Sequence, residues 1–156
     1  MLRKFILIAV LITVGFSVEI NYTKKDVCLI RKVKVYKNPI WVAKIKTSNG
    51  KVALFCSPKS MFEFYFNPYK FEEYGAETAD DIDEITVTDY LTLKAINARS
   101  AYFVYGSNKT SPAGDDLVAF EKKVDAQIYA KKNNGKRILR FSKVSQGLID
   151  LLNGSI

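Results

Sequence analysis

Asn49-Gly50, standing between two short β-prone runs, constrains the fold of this chain more than any other pair of residues. Ile40 to Lys46 (IWVAKIK) precedes it and Lys51 to Phe55 follows it. Asn-Gly between such runs is the strongest short-range signal for a hairpin, because both residues accept the positive φ that tight hairpin turns demand. Cys56-Ser57-Pro58-Lys59 comes next. Ser57 suits a helix N-cap and Pro58 the first helical position, so a helix is predicted to begin here. Met61, Phe62, Tyr65 and Phe66 then fall on one apolar face, and Asn67-Pro68 ends the helix.

The rest of the pattern repeats this order. Ahead of the hairpin, Val33-Lys34-Val35-Tyr36 alternates as a short strand. Residues 68–82 read as a loop that turns acidic (Asp80, Asp81, then Asp83 and Glu84), and Ile85 to Tyr90 alternates as a strand. Ala95 to Ala98 fits a turn or a short helix. From about Ser100 a second set follows: a strand at Ala101–Tyr105, a loop from Gly106 to Asp116, and a strand at Leu117–Phe120. A helix over Glu121–Lys132 is closed by Asn133-Asn134-Gly135, and a strand spans Arg137–Phe141. Ser142 or Ser145 suits the cap of a last short helix ending near Leu152. Strand, strand, helix, strand occurs twice, a repeat of pattern rather than of identity. The prediction is an α+β fold of two small ββαβ units, 18–98 and 99–156, each too small to stand alone and therefore sharing a core.

Residues 1–17 read as a secretory signal. Arg3 and Lys4 give the positive start, Phe5 to Phe16 is apolar, small or Thr, and Gly15-Phe16-Ser17 offers a cleavage site before Val18. The run falls short of the roughly 20 apolar residues of a comfortable membrane span; the alternative is an uncleaved N-terminal anchor. It is not followed by the Cys a lipoprotein signal needs, since Cys28 lies further on in a polar stretch. Loss of Arg3 and Lys4 from 24 basic residues, against 16 acidic, leaves a mature excess of +6. Export places the protein in the periplasm, away from nucleic acid and with no stable span after cleavage. Docking to an acidic protein or an anionic membrane face remains open for the basic clusters at Arg31–Lys37 and Lys131–Lys143.

The 156 residues include no His. Ser-His-Asp and Cys-His nucleophile pairs are excluded, as are His-ligated zinc and haem. The soft ligands left in the mature chain are Cys28, Cys56 and Met61. The two Cys have three readings: a structural disulfide worth roughly 3–4 kcal/mol by chain entropy, free buried thiols, or a soft-metal site completed by Met61. They form no Cys-x-x-Cys motif, which argues against redox catalysis. Met61, at helical spacing among aromatics, also reads as core. Asp80, Asp81, Asp83 and Glu84 lack calcium-loop spacing and read as a solvated loop. Asp89, at a strand end, reads as a turn cap or, alternatively, as a residue that lines a site.

Several stretches together resemble the nitrous oxide reductase accessory protein NosL family. They are Trp41-Val42-Ala43-Lys44-Ile45, Phe55-x-Ser57-Pro58-Lys59-x-Met61-Phe62-x-Phe64-Tyr65-Phe66-Asn67, Val87-Thr88-Asp89-Tyr90, Ala101 to Ser107, Pro112-x-Gly114, Leu117-x-x-Phe120 and Gly135-x-x-Ile138-Leu139-x-Phe141. The resemblance runs from about Cys28 to the C-terminus. It implies two ββαβ units in a periplasmic, non-enzymatic protein that supplies copper through a Cu(I) site, with nitrous oxide reductase or its maturation proteins as partners. The family motif Cys-Pro-x-Cys-Gly-Met is here Cys28-Leu29-Ile30-Arg31-Lys32-Val33. Arg31 stands at the second Cys, Lys32 at the Gly and Val33 at the Met, and Ala113 stands where a later loop carries another Met. Cu(I) wants thiolate or thioether donors, so copper binding here falls to Cys28, with Cys56 and Met61 as substitutes. The alternative is a metal-free binding or chaperone module with a Cys28–Cys56 disulfide.

Overall fold

The structure, a computed structural model, describes residues 18–155. The predicted signal at 1–17 lies outside the described residues. Two antiparallel sheets carry the fold. The first is built from β1 (Ala43–Thr47), β2 (Val52–Phe55), β3 (Ile82–Thr88) and β4 (Ala95–Asn97) in the order β2-β1-β3-β4. The second is built from β5 (Tyr102–Ser111), β6 (Gly114–Phe120) and β7 (Arg137–Arg140) in the order β6-β5-β7. Helix α1 (Pro58–Phe66) follows β2, α2 (Lys123–Lys132) follows β6, and α3 (Gln146–Leu152) closes the chain. The fold is α+β: strand-strand-helix-strand-strand in the first half and strand-strand-helix-strand-helix in the second.

The Asn-Gly signal produces its hairpin, with Ala43 opposite Phe55 and Lys46 opposite Val52. Its loop is longer than a two-residue turn: Gly50 N–H donates to Thr47 O at 2.8 Å, and Gly50 takes φ +85°. This is a turn finished by one left-handed residue, which glycine fills without steric cost. Helix α1 starts where Ser57-Pro58 predicts, and Ser57 Oγ accepts from Ser60 N–H at 3.1 Å. Ser145, rather than Ser142, caps α3 by accepting from Leu148 N–H at 3.2 Å.

Four local expectations are corrected. Val33–Tyr36 is not a strand; Val27 and Lys34 form an isolated bridge, and Val35–Lys37 and Pro39–Trp41 are 3₁₀ turns. Pro39 opens the 3₁₀ turn through Trp41, so the strand begins only at Ala43. Ala95–Asn97 is a strand, paired with β3. Residues 106–116 are not a loop but the two arms of a long β5–β6 hairpin, interrupted by a register shift where Gly106 takes φ +76°. Finally, Glu121 lies ahead of α2, which begins at Lys123 without a side-chain cap.

Helix α1 is buried on nearly every side. Met61, Phe62 and Phe64 are fully enclosed, whereas Tyr65 and Phe66 are only half-buried, so the apolar face sits differently from the predicted one. Phe64 packs on Phe55, Phe71 and Tyr74 with ring centroids 5.2–5.7 Å apart. Phe62 reaches across to Phe103 at 5.4 Å and Phe141 at 4.9 Å, joining the two halves. Alternation along β5 and β6 splits their side chains: Phe103, Leu117 and Ala119 face the main core, while Val104, Val118 and Phe120 meet α2 and Trp41 in a second cluster. No helix among the described residues is long and apolar enough to cross a membrane.

Two buried carboxylates bind the halves reciprocally. Asp116 in β6 accepts from Lys59 N–H (2.7 Å), Leu117 N–H (2.8 Å) and Ser111 Oγ (2.6 Å). Asp89, after β3, accepts from Leu91 N–H, Thr92 N–H and Thr92 Oγ, and its other oxygen accepts from Glu121 N–H at 2.7 Å. Asp89 is thus a turn cap, as its place at a strand end suggests. Burial pushes the Asp116 carboxyl up, opposed by these donors and the Ser57 hydroxyl. Asp116→Ala strands the donors and should cost about 3 kcal/mol in urea unfolding, against about 1 kcal/mol for Asp116→Asn, which keeps an acceptor for the amides.

Candidate metal centre

Cys28 begins a short loop closed by the Val27–Lys34 bridge. Its N–H donates to Val33 O at 2.8 Å, and Lys32 N–H donates back to Cys28 O at 2.9 Å. Leu29 N–H donates to Leu54 O at 2.8 Å, fastening the loop to the open edge of β2. Cys56 directly follows β2, so the two thiols meet between this loop and the start of α1. They are 0% and 1% exposed. Both are free thiols here rather than a disulfide.

The pair is electrostatically unequal. The Cys56 thiol donates to the Cys28 sulfur and so lowers the Cys28 pKa to about 6. Burial opposes this, and the backbone at Arg31, whose N–H lies 3.4 Å from Cys28 Sγ, helps it. The same bond, with burial, pushes Cys56 up, while Ser60 Oγ at 3.9 Å pulls weakly the other way. The reduced pair is poised to hold one thiolate at Cys28 and one proton at Cys56. Met61 is fully buried in the same apolar cluster as both thiols. Among the described residues no three His, Cys, Asp or Glu side chains gather as a metal site. The acidic run is dispersed: Asp81 accepts from the Glu77 and Thr78 N–H groups, Asp83 from Ser48 Oγ, and Glu84 pairs with Lys44 at 2.7 Å.

Arg31 does not point its charge at the sulfurs. Its guanidinium pairs with Glu63 of α1 and donates to Asn153 Oδ1 at 2.9 Å, beyond α3. Lys59, buried in the first turn of α1, donates from Nζ to Leu152 O at 3.0 Å, and burial lowers its pKa. Two cations therefore close the C-terminal end of α3, where carbonyls lack intrahelical partners. Sequence reasoning registered Arg31 as a lost ligand and missed this clamp. The separation of Arg31, Glu63 and Asn153 along the chain left no local signal for it.

Lys32 takes φ +56°, a left-handed conformation that suits glycine. It is the position at which the motif quoted above carries Gly, so the loop keeps the backbone turn without the residue that suits it.

A family model described as NosL matches residues 19–149. A search of curated proteins gives no match. Among solved structures, the crystal structure of the copper chaperone NosL from Shewanella denitrificans is similar to this chain, at 25% identity and a TM-score of 0.70. The similarity covers 85% of this chain and 99% of that one.

Two outcomes follow from this geometry. Between about pH 6 and the ordinary thiol value of 9.0, the folded chain has released a Cys28 proton that the unfolded chain keeps. Stability of the reduced protein should therefore rise with pH across that window and be lost as pH falls through 6, and Cys56→Ala should flatten the dependence in urea unfolding. Lys32→Gly should relieve the left-handed turn and stabilise the fold by about 0.5–1 kcal/mol in thermal unfolding.

Proposed function

This chain belongs to the NosL family, and from that premise we propose that it is an exported accessory protein that carries copper(I) between Cys28 and Cys56. It performs no catalysis of its own. In this reading residues 1–17 are the export signal, 18–98 and 99–156 the two units of the scaffold, and the periplasm the place of action. Nitrous oxide reductase or its maturation proteins receive the copper.

The observation that carries the reading is the buried pairing of Cys28 and Cys56, with one sulfur already inclined to the thiolate. Copper(I) is soft, and two thiolates satisfy it without further ligands. Cys28 supplies the first thiolate; loading displaces the proton on Cys56 and releases it, so uptake is favoured as pH rises. Enclosure keeps water and oxidants from the ion. Met61 is the remaining soft donor nearby in the core. The Arg31 charge, a liability beside a cation, is spent on Glu63 and Asn153 instead.

The same adjacency favours a second reading, a metal-free module with the thiols joined as a disulfide. Titration of the reduced full chain with Cu(I) against a competing chelator, alongside a thiol count on untreated protein, separates the two. The expected result is one copper per chain at a sub-nanomolar site, lost in Cys28→Ser and in Cys56→Ser. Met61→Leu reports on the thioether, with about a tenfold loss of affinity if it is a ligand. Untreated protein without free thiols, together with no copper uptake after reduction, would overturn the copper reading in favour of the disulfide.

A further inference from the structure

The Asp89–Lys94 turn presents two leucines to solvent. Leu91 is 64% exposed and Leu93 58%. The turn is not loose: Asp89 Oδ1 holds Leu91 N–H at 2.9 Å and Thr92 N–H at 2.7 Å, and Leu93 N–H donates to Asp89 O at 2.9 Å. Leu93 takes φ +61°, a left-handed conformation that a bulky side chain disfavours. A buried carboxylate thus fixes a strained turn whose visible product is a pair of exposed apolar tips.

The outer side of α2 continues the patch. Val124 and Ile128, one turn apart, are 54% and 62% exposed. Between the turn and the helix lies a groove of about 390 Å³, floored by Tyr90, Phe120 and Tyr129. Lys109 and Lys132 stand on its rim with a single acid, Asp125, and Lys94 is exposed on the turn. Beside it, Val18–Tyr22 line a second depression of about 490 Å³ together with Leu93 and Lys94.

We propose that this face, the Asp89–Lys94 turn with the outer side of α2, docks on an anionic lipid surface. Separated apolar tips ringed by lysines suit a bilayer interface, where the tips enter the acyl boundary and the ammonium groups meet headgroup phosphates. A bilayer also needs no shaped counterpart, so tips held apart by a fixed turn and a helix can each enter it.

Hydrogen exchange of the full chain, with and without vesicles of phosphatidylcholine containing phosphatidylglycerol, tests this. Slowed exchange is expected in residues 90–94 and 123–132, and vesicles of phosphatidylcholine alone should slow it far less. Leu91→Asp with Ile128→Asp should weaken co-sedimentation with the anionic vesicles by about tenfold or more. Lys109→Glu with Lys132→Glu should do so by about tenfold and reduce the salt sensitivity. These side chains are at the surface, and near-ultraviolet circular dichroism checks the fold. Unchanged exchange in both segments with anionic vesicles overturns the proposal. So does protection by polyglutamate but not by vesicles, which assigns the face to an acidic protein.

Discussion

The first turn of α1 is held by two acceptors from opposite halves of the chain, and the rest of the structure follows from that. Ser57 Oγ takes the Ser60 N–H, and Asp116 of β6 takes the Lys59 N–H. The orphan donors of a helix start must be met somewhere, and here one of them is met across the core. The start of the helix is therefore fully satisfied only when the second hairpin is in place. Asp89 returns the dependence by accepting the Glu121 N–H just ahead of α2. Neither half closes its helix start alone. That is a physical reason for the shared core, beyond the small size of each half.

The thiol pair inherits this arrangement. Cys56 is the residue immediately before the Ser57 cap, and Ser60, which completes the cap, also approaches the Cys56 sulfur. Whatever holds the start of α1 also aims Cys56. Cys28 arrives separately, through the bond from Leu29 to Leu54 on β2. The paired thiols thus report on two attachments, one across the halves and one along a sheet edge. The charges around them are spent on structure: Arg31 and Lys59 both serve the end of α3.

Much of the fold was legible because its signals are local. Asn49-Gly50 and Ser57-Pro58 act within four residues, and both elements form where expected. The 106–116 segment misled for the same reason in reverse: Gly, Ser, Asn and Pro describe a loop by composition, while the pairing of Thr110 with Asp115 and the bonds of Ser111 to Asp116 make it a hairpin. Val33–Tyr36 alternates like a strand, but it forms a single isolated bridge, at Lys34, and no ladder. At the candidate centre, the residue types were legible and their meeting was not. Cys28 and Cys56 are joined by an edge contact that leaves no periodicity, and the Arg31–Glu63 pair spans elements that no spacing rule connects. Asp89 was readable because a carboxylate at a strand end serves its own turn.

The loop that carries Cys28 lies along the outer edge of β2. Exposed sheet edges are templates for pairing with foreign strands, and proteins cover them. Here the cover and the thiol loop are one segment, pinned by Leu29 to Leu54 and by Arg31 to Glu63. Any movement that lifts the loop to admit or surrender a ligand also bares the backbone of β2. Access to the sulfurs and protection against strand-swapped aggregation therefore depend on the same short segment.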